Sequence, residues 1–180
     1  MDEIIQKTLW AIDPVHSKIR FDAKYLMMTS VSGWFRELEG TVTSSNEDFS
    51  NCGINLTLYT HSIFTGIEER DNHLKSADFF ESKKYPTIQF KSSTVNVDKN
   101  NIHITGTLTI KEVTQEINFN ARYLGSAPDP RGNIKAGFEM DAVFDRKDFN
   151  ISYNEFFDRQ GILISDQVWV HADIQLLKLN

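Results

Sequence analysis

Five ionisable side chains, Glu68, Glu69, Arg70, Asp71 and His73, crowd into six positions of the stretch GIEERDNHLKSADFF (66–80), which ends in two adjacent phenylalanines. Acid, cation and imidazole this close could pass protons, or two carboxylates and a histidine could hold a metal ion. Spacing argues against the metal. Glu69, Asp71 and His73 alternate at i and i+2, and on a helix such positions point about 200° apart, so the three cannot converge on one ion. Glu69 and His73 stand at i and i+4 and could face each other, but two ligands make a weak site. No metal is expected. The structural alternative is that Arg70 and Asp71, in the first turn of a helix, bond neighbouring backbone or one another.

Other chemistry is sparse. The histidines are His16, His61, His73, His103 and His171, and no pair has HExxH or HxH spacing. Ser17 follows His16 directly, but adjacent strand residues face opposite sides, so they make a poor relay. No GxSxG elbow, P-loop or GxGxxG occurs. Cys52 is the single cysteine, which excludes an intrachain disulfide; beside Gly53, with no base near it in sequence, it reads as a half-buried, inert thiol. A net charge of −6, from 19 basic and 25 acidic residues, repels phosphate backbones and anionic membrane surfaces. Nucleic acid is therefore not an expected partner, nor is stable membrane insertion, since no run approaches the ~18 apolar residues of a span. MDEIIQKTLW lacks the basic and apolar regions of an export signal. As written, the chain reads as soluble and cytoplasmic; removal of a native export signal would make it periplasmic.

The elements that must position these residues are strands. Period-two alternation puts Ile19, Phe21, Ala23, Tyr25 and Met27 on one face of SKIRFDAKYLMM. It does the same for Ile54, Leu56 and Leu58, for Ile88 and Phe90, and for Ile102, Ile104, Leu108 and Ile110. Further on come Ile117, Phe119, Ala121 and Tyr123, then Ala136, Phe138, Met140, Ala142 and Phe144, then Val168, Val170, Ala172, Ile174 and Leu176. With TLWAI and GWFRELEGTV, which carries Phe35, about eight strands result. Polar turns (SSNEDFSN, DKNN, GSAPDPRGN) join them, as in an antiparallel meander. The fold class is all-β: an extended antiparallel eight-stranded barrel, with a short helical segment around residues 66–82. One domain spans 1–180, with its core from about 8 to 178. Thr65 and Glu68 have capping-box spacing, Asp78 and Glu81 could cap a second turn, and Tyr85-Pro86 stops any helix. Phe79 and Phe80 should then point into the barrel. Thirteen phenylalanines imply either a very full core or a lined cavity; composition leaves both open.

Four stretches in order, WAIDPVHSKIRF (10–21), RDNHLKSADFF with YPTIQF, GTLTIKEVTQEINF, and DRKDFNISYN, resemble the signatures of the YceI-like family of polyisoprenoid-binding, lipocalin-like proteins. The resemblance runs from Trp10 to about Leu176. It implies a barrel with a long apolar tunnel, binding of a polyprenyl chain or isoprenoid quinone without catalysis, storage or transport of that lipid, and a homodimer. The tunnel candidates are Phe21, Tyr25, Met27, Phe35, Phe79, Phe80, Phe90, Phe119, Phe138, Met140 and Phe144. Trp10, Asp13, His16, Arg70, Asp71, His73, Leu74, Arg146 and Asp148 carry the motifs as structural residues. No cofactor is implied beyond a bound lipid. This chain departs from the family pattern at Tyr25 (usually His), Arg131 (often Trp) and Glu112 (usually Gly). Two rival readings stay open: an enzyme using Arg70, Asp71 and His73 on a lipid-like substrate, and a barrel packed solid. Trp169 should face outward if Val168 and Val170 face in, as an interface anchor would.

Overall fold

The structure, a computed structural model, describes residues 7–45, 48–154 and 163–180. Among these, eleven strand segments form one antiparallel sheet: β1 (Thr8–Ile12), β2 (Lys18–Tyr25), β3 (Thr29–Phe35), β4 (Leu38–Ser44), β5 (Gly53–Tyr59), β6 (Ile63–Phe64), β7 (Thr87–Asp98), β8 (Asn101–Ile110), β9 (Val113–Pro128), β10 (Ile134–Asp145) and β11 (Ile164–Lys178). The first six are halves of three longer strands, each broken by a joint. β1 lies against β4 and β2 against β3, with Trp10 opposite Val42 and Arg20 opposite Trp34. β5 and β6 continue along β4 and β3 in the same way. Counted so, eight strands close a barrel where β1 meets the C-terminal end of β11, whose N-terminal part pairs with β2.

The alternation is cleanest in β8, which buries Ile102, Ile104, Gly106, Leu108 and Ile110 in turn. Gly106 breaks the apolar series for a steric reason. A Cβ there would stand 2.6 Å from the Phe90 ring and 2.4 Å from the Lys91 carbonyl oxygen. Its absence lets Phe90 lie across the backbone of β8.

The joint between β1 and β2 is pinned by Asp13. Its carboxylate accepts hydrogen bonds from Lys135 Nζ at 2.5 Å, His16 Nδ1 at 2.8 Å and the Val15 N–H at 3.0 Å. Burial alone would raise its pKa, but these bonds outweigh burial and hold the carboxyl at about 2. Trp10, also buried, packs on Phe49 with ring centroids 5.2 Å apart.

Helix α1 (Glu68–Leu74) is shorter than the segment expected and begins later. The capping box does not form: Gly66 takes a left-handed φ of 84°, Ile67 is the N-cap, and it offers no side-chain acceptor. Asp71 instead ties the preceding segment to the helix, accepting the N–H of Thr65 at 2.8 Å and its hydroxyl at 2.5 Å. One end of the barrel thus carries the β2–β3 turn, α1 with the segment up to Pro86, and the 3-10 turn Arg146–Phe149. The other end carries the loop that bears Phe49.

Candidate ligand cavity

Phe21, Leu56, Ile117, Phe119, Met140, Phe144 and Val170 point inward by alternation, yet each remains half-buried. Each packs on the buried core with part of its surface and faces open volume with the rest. A chamber of about 460 Å³ lies beneath α1, and a smaller one of about 100 Å³ lies toward the Phe49 end. The two share Ile19, Leu56, Phe90, Phe119 and Met140 as walls, and the Phe90 and Phe119 rings pack against each other, 5.4 Å apart, on the wall formed by β7, β8 and β9. The volume is in the range of small-ligand sites, and the lining is predominantly apolar.

Phe21, Phe35, Phe79, Phe80 and Phe144 line the larger chamber. Phe138 lines the smaller one, and Phe90, Phe119 and Met140 belong to both. Phe79 and Phe80, though adjacent, reach the same cavity because residues 76–85 are irregular: the Phe79 N–H donates to Ser76 O and the Phe80 N–H to Leu74 O. Tyr25 sits at the rim, 42% exposed. Met27 requires a correction. It is 60% exposed on the β2–β3 turn and lines neither chamber, because the strand ends at Tyr25 and Leu26 and Met27 adopt left-handed φ values of 50° and 55°. Alternation carried past the end of a strand put it on the wrong side.

The sequence reading passed over Phe49, which seals the far end. Its ring lies 5.1 Å from that of Phe138 and 5.9 Å from that of Tyr123, and the residue is buried at φ 63°. A lone phenylalanine in the polar run SSNEDFSN was the available signal. Cys52 lines the smaller chamber; burial pushes its thiol up to about 11, so it stays protonated at neutral pH.

The polar cluster divides. Arg70, His73 and Leu74 line the larger chamber, whereas Asp71 does not. Arg70 donates from Nε to Thr65 Oγ1 at 2.8 Å and from Nη2 to Thr65 O at 3.1 Å. His73 Nε2 lies 2.8 Å from Asp78 Oδ2, and its ring stacks edge-on against Phe79 and Tyr153. Arg146 is buried beneath the same end, while Asp148 is exposed and offers its backbone carbonyl to Gln115. Two of the family departures are engaged locally. The Tyr85 hydroxyl donates to Glu112 and holds its carboxyl below the usual range. Arg131 lies in a turn organised by Asp129, which accepts its N–H at 2.8 Å. Among the described residues no three His, Cys, Asp or Glu side chains are grouped to hold a metal ion, and no helix is long and apolar enough to cross a membrane.

A family model described as the YceI-like domain matches residues 10–176. Protein YceI of Escherichia coli O17:K52:H18 is 37% identical over 136 residues, covering 76% of this chain and 71% of that protein. A UPF0312 protein of Pectobacterium atrosepticum is 36% identical over 137 residues, with the same coverage of 76% and 71%. The Campylobacter jejuni YCEI protein superposes with a TM-score of 0.73 at 27% identity, over 87% of this chain and 90% of that one. A polyisoprenoid binding domain from Saccharophagus degradans, implicated in plant cell wall breakdown, shares the fold, with a TM-score of 0.69 at 14% identity over 94% and 98% of the two chains.

Proposed function

The chain belongs to the family of YceI-like domains, and from that premise we propose that it binds a long apolar lipid of isoprenoid type in its barrel, without catalysis, as a store or carrier. The observation that carries this reading is the two-chambered apolar cavity running from α1 toward Phe49. Its lining, almost wholly apolar away from the α1 end, suits a hydrocarbon chain that needs no polar partners along its length. A dozen buried methylene-sized groups contribute on the order of 10 kcal/mol, from which ordering the flexible tail subtracts several. The S. degradans domain, which shares the fold, is a polyisoprenoid binding domain, and a polyisoprenoid is therefore the first ligand to test.

The enzyme alternative needs Arg70, Asp71 and His73 to converge on the cavity. Asp71 lies off the cavity lining with Oδ1 engaged by Thr65, and His73 is engaged by Asp78, which favours binding over chemistry. The test is organic extraction of protein purified from cells, mass spectrometry of the extract, and calorimetric titration with a polyprenyl quinone and with a straight-chain fatty acid. Co-purified prenyl lipid and a negative heat-capacity change on quinone binding are expected. An empty extract together with no binding of either ligand would falsify the reading; binding of the fatty acid alone would retain the cavity and discard the isoprenoid.

The same reading includes a homodimer. Val143 on β10 is 54% exposed and stands opposite Trp169 on β11, whose neighbours Val168 and Val170 line the cavity. An outward indole beside an exposed valine is an apolar patch of the kind that anchors interfaces. Light scattering should give twice 20.7 kDa at high micromolar concentration. A mass that stays at the monomer value across the series refutes it.

A further inference from the structure

Among the described residues, the cavity is lined by basic side chains and by no acidic one. Lys24, Arg70, Arg146 and His73 line the larger chamber and no aspartate or glutamate does, in a chain with 25 acidic residues against 19 basic. All four belong to the same end: Lys24 to the end of β2, Arg70 and His73 to α1, and Arg146 to the turn after β10. The smaller chamber is lined by no charged side chain.

The four are not equivalent. Arg146 is saturated by backbone carbonyls, and His73 is engaged by Asp78. Arg70 is half-buried, and both of its hydrogen bonds go to the neutral groups of Thr65. Among the described residues its Nη1 has no acceptor and its guanidinium no carboxylate partner. An arginine placed only to hold backbone would spend its N–H groups as Arg146 does. Instead one edge is fixed and the other remains available, which presents donors to an incoming ligand at little further ordering cost.

We propose that the bound lipid carries an oxyanion head group, carboxylate or phosphate, received by Arg70 at the α1 end of the larger chamber, with the tail extending toward Phe49. This rests on the lipid-binding reading and adds the head group to it. An acidic chain with a cationic cavity mouth would thereby select the anionic member of an isoprenoid series over the neutral alcohol.

The experiment compares three ligands with one tail: farnesyl phosphate, farnesoic acid and farnesol. Wild-type protein at low salt is expected to bind one or both anions about tenfold more tightly than the alcohol, the scale of one charge-assisted hydrogen-bonded contact. Which anion leads identifies the head group. Added sodium chloride should weaken the anions severalfold and leave farnesol unmoved, a readout that needs no variant. Arg70→Gln should bring the ratio of anion to alcohol affinity close to one. Equal affinity of wild type for all three ligands overturns the proposal and leaves tail binding standing. A ratio that Arg70→Gln does not change, in a variant that melts like wild type, overturns it as well. Failure of all three to bind overturns the proposal and the reading beneath it together.

Discussion

Arg146→Met is expected to destabilise the barrel by about 3 kcal/mol or more, the cost of removing one partner from a buried charged network. The guanidinium donates from Nε to Ser165 O at 3.0 Å, from Nη1 to Ile151 O and Tyr153 O at 2.8 Å each, and from Nη2 to Ile164 O at 3.4 Å. Asp166 Oδ1, which accepts no hydrogen bond, stands 3.6 Å from Nη2. Burial lowers the pKa of the group, and the nearby Asp166 and Asp145 carboxylates oppose that shift. Methionine fills similar volume but leaves four carbonyls without their donor and Asp166 with only Lys147. Because those carbonyls sit where the chain leaves β10 and enters β11, the cavity end under α1 should loosen with them. Arg146→Lys should recover only part of the loss, since a point charge cannot serve four acceptors in a plane. Equilibrium urea unfolding measures the effect; an unfolding free energy within a few tenths of a kcal/mol of wild type would show that the network contributes nothing.

The legible parts of this fold are those set by alternation over uninterrupted strands. β8, β10 and β11 could be read residue by residue because every second side chain meets the interior. Three things lay beyond that signal. The joint at residues 13–17 depends on Asp13 meeting Lys135, a contact 122 residues away in sequence. The end of β2 depends on Leu26 and Met27 entering the left-handed region, which neither residue type announces, and so Met27 was assigned inward. The start of α1 depends on Thr65 bonding Asp71 rather than Glu68, a choice between two acids of similar local propensity. A hollow interior leaves no mark on the pattern at all. Ile117 and Val170 alternate identically whether the barrel interior beside them is filled or open, since the gap is set by how eight strands close. The signature residues Arg70, Asp71 and His73 were visible as a cluster, but their division between a Thr65 anchor and a cavity wall follows from the left-handed Gly66 and the late helix start.

Ala142→Trp is expected to abolish binding of a prenyl tail while leaving the barrel folded. Ala142 lies on β10 and lines the larger chamber, with Met140 and Phe144 beside it on the same face. An indole at this position would enter a volume of about 460 Å³ that holds no side chain, so it need not displace packed atoms. Filling such a space commonly raises stability by a fraction of a kcal/mol to about 2 kcal/mol. The tail, however, would occupy the same chamber, and losing that burial should weaken a polyprenyl quinone by about a hundredfold or more. Ala172 provides the contrast. It stands on β11 opposite Met140, is 0% exposed, and lines neither chamber. Ala172→Trp should therefore overpack the wall and cost about 1–3 kcal/mol or prevent folding. Urea unfolding and calorimetric titration of both variants separate the possibilities. A folded Ala142→Trp that binds the quinone like wild type would place the tail outside this chamber, and an Ala142→Trp as unstable as Ala172→Trp would mean that the interior is filled.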